Sequence, residues 1–386
     1  MEEFIKNKKF RQSFKIKDIQ PLTMKIPLKK PIKMAGISVE SADNLFVKIT
    51  SDNGLYGWGE ASSAPTMTGE FSEGMYAAAL FIRKQLIGRE FKDLNDIKIL
   101  KKIPIYENKG TLSAFEMALI DLMLKHNNIS FNNFFGKVVR KKIPVIQMIA
   151  GVNVDEEIRN LNKSISIGFS CFKIKIGSAN SYKDDLERCK KITNSTNNKC
   201  IFSADANEGY NYEDAINFAK TAKDVGIKFF EQPVSSKNLD EMKSITSISS
   251  VPICSDEGVH SLNDIHNIIK MKSSNGVSLK TIKLGGILDV INCAFLAYQN
   301  NIHINLAGKV AETSISSYAI SRIASFIPQM DWDLSITNQY LIEDPVLKPL
   351  IINNGSIQLE EIIGLGTEID MSLASKYINL HLHLNI

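Results

Sequence analysis

Between residues 145 and 333 the chain repeats one pattern, a short apolar run with a polar end followed by a helical stretch, and that repetition decides its architecture. From Cys171-Phe172-Lys173-Ile174-Lys175, thirty residues lead to Ile201-Phe202-Ser203-Ala204-Asp205, and 26 more to Lys228-Phe229-Phe230-Glu231. Steps of 25, 24, 25 and 26 residues then reach Ile253-Cys254-Ser255-Asp256, Val277-Ser278-Leu279-Lys280, Ile302-His303-Ile304-Asn305 and Asp331-Trp332-Asp333. With Val145-Ile146-Gln147-Met148-Ile149 ahead of Lys173, the strands number eight. Parallel strands joined through helices close into an α/β barrel, whose site is built from residues at the C-terminal strand ends. Around that rim the side chains read Lys/Lys, Asp, Glu, Asp, Lys, Asn and Asp/Asp.

At 386 residues the chain is too long for one core and suits two domains. Residues 14–60 read as a β-meander with a loop at Lys29–Ser38, and residues 70–135 take the helical period. We therefore expect an α/β protein: a modified TIM (β/α)7β-barrel over 136–340, and an α+β capping domain over 1–135 to which 341–386 returns. A balance of 46 basic against 42 acidic residues argues against nucleic acid, and no apolar run is long enough to cross a bilayer. The basic start, Lys6, Lys8, Lys9 and Arg11, lacks the apolar core of a signal peptide and reads as a solvated arm, so a cytoplasmic protein is expected. Five cysteines without a Cys-x-x-Cys indicate neither a disulfide framework nor zinc.

Asp205, Glu231 and Asp256 are hard oxygen ligands on three successive strand ends, a Mg²⁺ arrangement rather than a zinc one. Any one of them alone would be an ordinary ion-pair partner; the even spacing is what argues for a site. Lys173 and Lys175, two apart, share a strand face. Lys175 and Lys280 then flank the metal from opposite sides, which suits removing a proton from one face of a carbon and returning it to the other. Neighbouring positive charge is expected to lower their pKa, and Lys173 to bind a substrate oxygen.

Gly57-Trp58-Gly59-Glu60-Ala61, Ala118-Leu119-Ile120-Asp121, the Lys173/Lys175 pair, Asp205-Ala206-Asn207, Glu231-Gln232-Pro233, Ser255-Asp256-Glu257 and Lys280 before Gly285-Gly286 together resemble the enolase superfamily, in its muconate-lactonizing-enzyme subgroup. The resemblance covers nearly the whole chain. It implies Asp205, Glu231 and Asp256 as ligands of one Mg²⁺ with Asn207 supporting them, Lys175 and Lys280 as the acid/base pair, and a homo-oligomer. Lys283 reads as a solvated loop cation and His303 as structural. Asp331 and Asp333, at i and i+2 on the eighth strand, resemble the pair with which dipeptide epimerases hold the substrate's α-ammonium group. The implied activity is epimerization of a dipeptide at its second residue, of the L-Ala-D/L-Glu kind. The arginine that can bind the glutamate side chain in such enzymes is absent from Lys33-Met34-Ala35-Gly36-Ile37-Ser38. Lys309, just past strand seven, is the substitute expected to meet an acidic second residue, ahead of Lys33. An N-succinylamino acid racemase or o-succinylbenzoate synthase would use the same metal and lysines without needing Asp331 and Asp333. A muconate-type cycloisomerase has no cationic substrate group, and a non-catalytic metal-binding homologue would be free to lose a base.

Overall fold

β1 (Lys9–Met34) and β2 (Ile37–Ser51) form a long antiparallel ribbon whose register runs from Ile16 opposite Ser51 to Met34 opposite Ile37. The stretch expected as a loop at 29–38 is thus mostly paired strand, with an irregularity between Pro27 and Ile32 taking up Pro31, which has no N–H to give the ladder. In this computed structural model residues 9–34, 37–149, 151, 153–177, 181–196 and 200–379 are described. Lys6 and Lys8 of the basic start lie outside them, as does the side chain of Lys33. β3 (Tyr56–Ser62) and β4 (Glu90–Asp93) complete the sheet in the order β3-β2-β1-β4.

Gly57 and Gly59 explain the glycine-tryptophan motif of β3. A Cβ on either would stand 2.2 Å from the Ala118 carbonyl or 1.9 Å from that of Ala114, so only glycine lets β3 lie flat on the helix Lys109–His126. That helix is buried on nearly every side because it packs between the sheet and the barrel. Asp121 in it accepts from Trp58 N at 3.1 Å and Leu365 N at 2.8 Å and pairs with Lys125 at 2.8 Å, joining sheet, helix and C-terminal segment.

After the short β5 (Lys142–Pro144), eight parallel strands follow: β6 (Ile146–Ile149), β7 (Cys171–Lys175), β8 (Ile201–Asp205), β9 (Ile227–Glu231), β10 (Ile253–Ser255), β11 (Gly276–Leu279), β12 (His303–Ala307) and β13 (Trp332–Ser335). A parallel bridge between Val145 and Leu334 closes the barrel. The helices after β6 to β10 start in one way: Asn153, Ser181, Asn211, Asn238 and Ser261 each accept the N–H of the residue three positions on, which is acidic every time. These local stops keep the rim in register. β14 (Ser356–Gln358) pairs with β5, and the chain end reaches the capping sheet, where Lys25 N donates to Tyr377 O and Met24 bridges Ile378. Among the described residues no helix is long and apolar enough to cross a membrane.

Candidate active site

Strand alternation and register bring the rim charges together. Lys175, Asp205 and Glu231 are neighbours in the ladder, as the last residues of β7, β8 and β9. Asp256 and Lys280 follow β10 and β11 directly. Lys175 Nζ donates to Asp205 Oδ2 at 2.6 Å and to Asn207 Oδ1 at 2.7 Å; Lys173 Nζ donates to Glu231 Oε2 at 2.5 Å and lies 3.8 Å from Asp205 Oδ2. On the far side Lys280 Nζ meets Asp256 Oδ2 at 2.5 Å. The three carboxylates are each 1% exposed. Their burial is tolerable only because every one has an ammonium partner.

Asp256 is held from three directions. Lys283 Nζ donates to its Oδ1 at 2.6 Å, to its carbonyl oxygen, and to Ser278 O at 3.1 Å, while Asp256 N donates to Gln232 Oε1 at 2.8 Å. Lys283 is therefore fully enclosed, not the solvated loop cation its sequence position suggests. The single-turn helix Thr281–Leu284 carries it back under the rim. Gln232 and Asn207 sit at φ +37° and +43°, backbone strain concentrated next to the carboxylates. Asn207 also links the two sides, its Nδ2 donating to Glu257 Oε1 at 2.9 Å.

Burial drives the Asp256 carboxyl upward, yet Lys280 and Lys283 outweigh that and hold it far below the usual range. Glu231 is raised, by burial and by the Asp205 and Asp256 charges, despite Lys173. Burial alone would depress Lys280, but Asp256, Glu257 and Glu231 more than offset it and its pKa stands above normal. The lowering expected for this amine is thus not produced by the protein's own residues: carboxylates face it more closely than ammoniums do. Burial and Lys280 do depress Lys309, to about 8.

A divalent cation fits this centre. All its donors are hard carboxylate oxygens, and Glu231 Oε1 is a buried acceptor with no hydrogen bond. As placed, no three such groups among the described residues converge into a ready coordination shell, since each carboxylate turns to its lysine. A cavity of about 520 Å³ opens beside the centre, lined by Thr66 and Met67 of the capping region and by Glu208, Ser236, Glu257 and His260.

Asp331 and Asp333 do not belong to this rim. Asp331 precedes β13, accepts from Ile304 N at 3.0 Å, and sits 3.1 Å from Nδ1 of His303, the first residue of β12. Asp333 accepts the thiol of Cys171, the first residue of β7, at 2.5 Å. Lys175 is four residues further along β7, roughly 13 Å at the rise of a strand. An irregularity in the β12–β13 ladder places Asn305 opposite Trp332 and Ala307 opposite Ser335, so the rim end of the eighth strand is Ser335, Ile336 and Thr337. The spacing of 26 residues landed at the start of the eighth strand, one short strand's length before its rim end. Lys309, by contrast, lies at the rim, 7% exposed.

The sequence reading also passed over Glu60. Its carboxylate accepts from Thr313 N at 2.8 Å, Thr313 Oγ1 at 2.7 Å and Ser316 N at 3.0 Å, capping the helix Ser314–Phe326 from the capping sheet. The signal was present in Gly59-Glu60, but its partner lies more than 250 residues away.

The mandelate racemase / muconate lactonizing enzyme N-terminal domain matches residues 18–136, and the enolase C-terminal domain-like family matches 156–373. An L-Ala-D/L-Glu epimerase of Clostridium acetobutylicum is 28% identical over 92% of this chain and 98% of its own length. An N-succinyl-L-Arg/Lys racemase of Bacillus cereus is 25% identical over 92% of this chain and 97% of its own. The crystal structure of a dipeptide epimerase from Cytophaga hutchinsonii, complexed with Mg and D-Ala-L-Val, superposes with a TM-score of 0.88 at 25% identity, covering 94% of this chain and 98% of that one. Carboxylates and lysines set on strand ends of a capped barrel, and these matches along both halves, agree: the protein is an isomerase like the epimerase and racemase named above, and the chain belongs to the enolase superfamily, in the division of mandelate racemase and muconate lactonizing enzyme.

Proposed function

We propose that the protein is a Mg²⁺-dependent epimerase or racemase that inverts the α-carbon of an N-acylated amino acid, the class to which dipeptides and N-succinylamino acids both belong. One observation carries this reading: Lys175 and Lys280 stand on opposite flanks of a buried three-carboxylate centre, each within 2.6 Å of a different carboxylate. A reacting carbon between them has one amine on each face. Lys175 takes the α-proton from one face while the Lys280 ammonium delivers one to the other, and the roles exchange in the reverse direction. Lys173 offers its ammonium to a substrate carboxylate oxygen. Asp205, Glu231 and Asp256 would hold a divalent cation, whose positive charge would stabilise the substrate carboxylate as the neighbouring carbon loses its proton. Asn207 orients Lys175, and Gln232 with Lys283 orients Asp256.

A free dipeptide amine would need an acidic pair at the rim, and Asp331 and Asp333 are not there to supply it, which widens the class from dipeptides to N-acylamino acids generally. The test is proton NMR in D₂O with Mg²⁺ on L-Ala-L-Glu, L-Ala-L-Phe, N-succinyl-L-Phe and muconate. Wash-out of the α-proton with growth of the second epimer, stopped by a chelator and restored by Mg²⁺, is the expected result. No exchange on any acylamino acid, with turnover of muconate, would replace the reading by cycloisomerization.

A further inference from the structure

We infer that Lys309 is the receptor for a second anionic group on the substrate, so that the enzyme selects acylamino acids carrying two carboxylates. The inference rests on the acylamino-acid reading above. Lys309 follows the last residue pair of β12 and is held by its backbone from the eighth strand: Gly308 N donates to Ser335 O at 2.7 Å, and Thr337 Oγ1 donates to Lys309 O at 2.7 Å. The same loop is fixed from the capping sheet, where Asn44 Nδ2 donates to Ala311 O at 2.8 Å. Its position is thus set by two strands and a second domain, unlike that of a surface lysine.

The side chain is largely buried, at 7% exposure, and among the described residues its ammonium makes no hydrogen bond and no ion pair, although Nζ is not a fully covered atom and so keeps an open side. Every other lysine of the centre does: Lys173 with Glu231, Lys175 with Asp205, and Lys280 and Lys283 with Asp256. The carboxylate nearest in sequence, Glu312, forms no ion pair with it among the described residues, and burial and Glu60 push Glu312 up to about 8. The backbone of Lys309 stands just past the rim end of β12, the end of the barrel that carries Lys175 and Lys280, and Lys280, Lys175 and Asp256 are the other charges that act on its amine. A largely buried ammonium without a counter-ion is costly, and a ligand carboxylate that reaches its open side offsets that cost. Asp331 and Asp333, at the opposite ends of the strands, do not compete there for a cationic substrate end.

The second carboxylate can come from the acyl group or from the amino-acid side chain. Solvent exchange measured on N-acetyl-L-alanine, N-succinyl-L-alanine and N-acetyl-L-glutamate separates these sources. The wild-type protein should prefer one of the two dianionic compounds over N-acetyl-L-alanine by roughly ten- to a hundredfold in kcat/KM, the range of one charge-assisted hydrogen bond. Lys309→Met should abolish that preference, read as the ratio of kcat/KM values between dianionic and monoanionic substrates, and Lys309→Arg should restore part of it. A preference that survives in Lys309→Met, or none in the wild type, overturns the inference. Absence of exchange on all three compounds would instead sink the acylamino-acid reading. Lys309 is then still tested by calorimetry on the Mg²⁺-loaded protein with succinate, glutarate and adipate against the matching monocarboxylates: a tighter grip on some dicarboxylate that Lys309→Met removes supports the subsite, and equal affinities reject it.

Discussion

Lys283 donates to Oδ1 of Asp256 at 2.6 Å while Lys280 donates to Oδ2 of the same carboxylate at 2.5 Å, so one buried aspartate is shared by two lysines three residues apart. The two amines differ in access, because Lys283 is wholly enclosed and Lys280 retains a little exposure to the chamber. That difference is in keeping with the proton transfer proposed for Lys280 and leaves Lys283 to position Asp256. Lys283→Met should cost about 3–5 kcal/mol of stability in urea unfolding, the penalty for removing one member of a buried pair. A solvated cation would give a change within about 0.5 kcal/mol, and that result would return Lys283 to the surface.

Replacing either of the lysines proposed as acid and base should act on one face of the substrate carbon. Lys175→Ala and Lys280→Ala should each lower epimerization by roughly 10²–10⁴-fold. Each variant should still exchange the α-proton of one epimer with D₂O, and the two should differ in which. NMR started from each pure epimer reads this; identical losses from both would argue against a two-base site.

Asp331 and Asp333 offer the opposite expectation. Asp331→Asn and Asp333→Asn should leave KM for L-Ala-L-Glu within the equivalent of about 0.5 kcal/mol, since neither carboxylate reaches the chamber. A rise in KM confined to substrates with a free amine would show that both had been placed at the wrong end of the barrel.

Glu116 makes stability fall as pH rises. Its Oε1 accepts from Leu288 N at 2.9 Å, where the capping helix meets the start of the barrel helix Ile287–Gln299. Burial and the Asp289 charge push its pKa up to about 8. A carboxyl that titrates higher when folded binds its proton more tightly in the native state. Its stabilisation is complete below the unfolded value of about 4.5 and is lost as pH climbs to about 8, by on the order of a few kcal/mol. Glu116→Gln should flatten the unfolding free energy across that interval, and an unchanged slope would place the dependence elsewhere.

Period and polarity were enough to read the barrel from the chain. Strand-helix units of about 25 residues leave few topologies, and Asp205, Glu231, Asp256, Lys175 and Lys280 fall where the apolar runs stop. Lys173 and Lys175 share a face by alternation alone. The eighth strand escaped this logic. Repeat length locates a strand only to within a few residues, and the irregularity between β12 and β13 moved Asp331 and Asp333 from the rim to the far end. Contacts between distant segments were equally hidden: Lys283 turning under the rim to Asp256, Gln232 bracing its backbone, Glu60 capping a helix of the other domain. Local sequence determines where strands, caps and turns can form, because those depend on neighbours in the chain. Which lysine is enclosed, which carboxylate it meets, and that Lys309 is left without a partner among the described residues were decided only when the strands closed and the capping sheet docked, since burial and pairing belong to the packed whole.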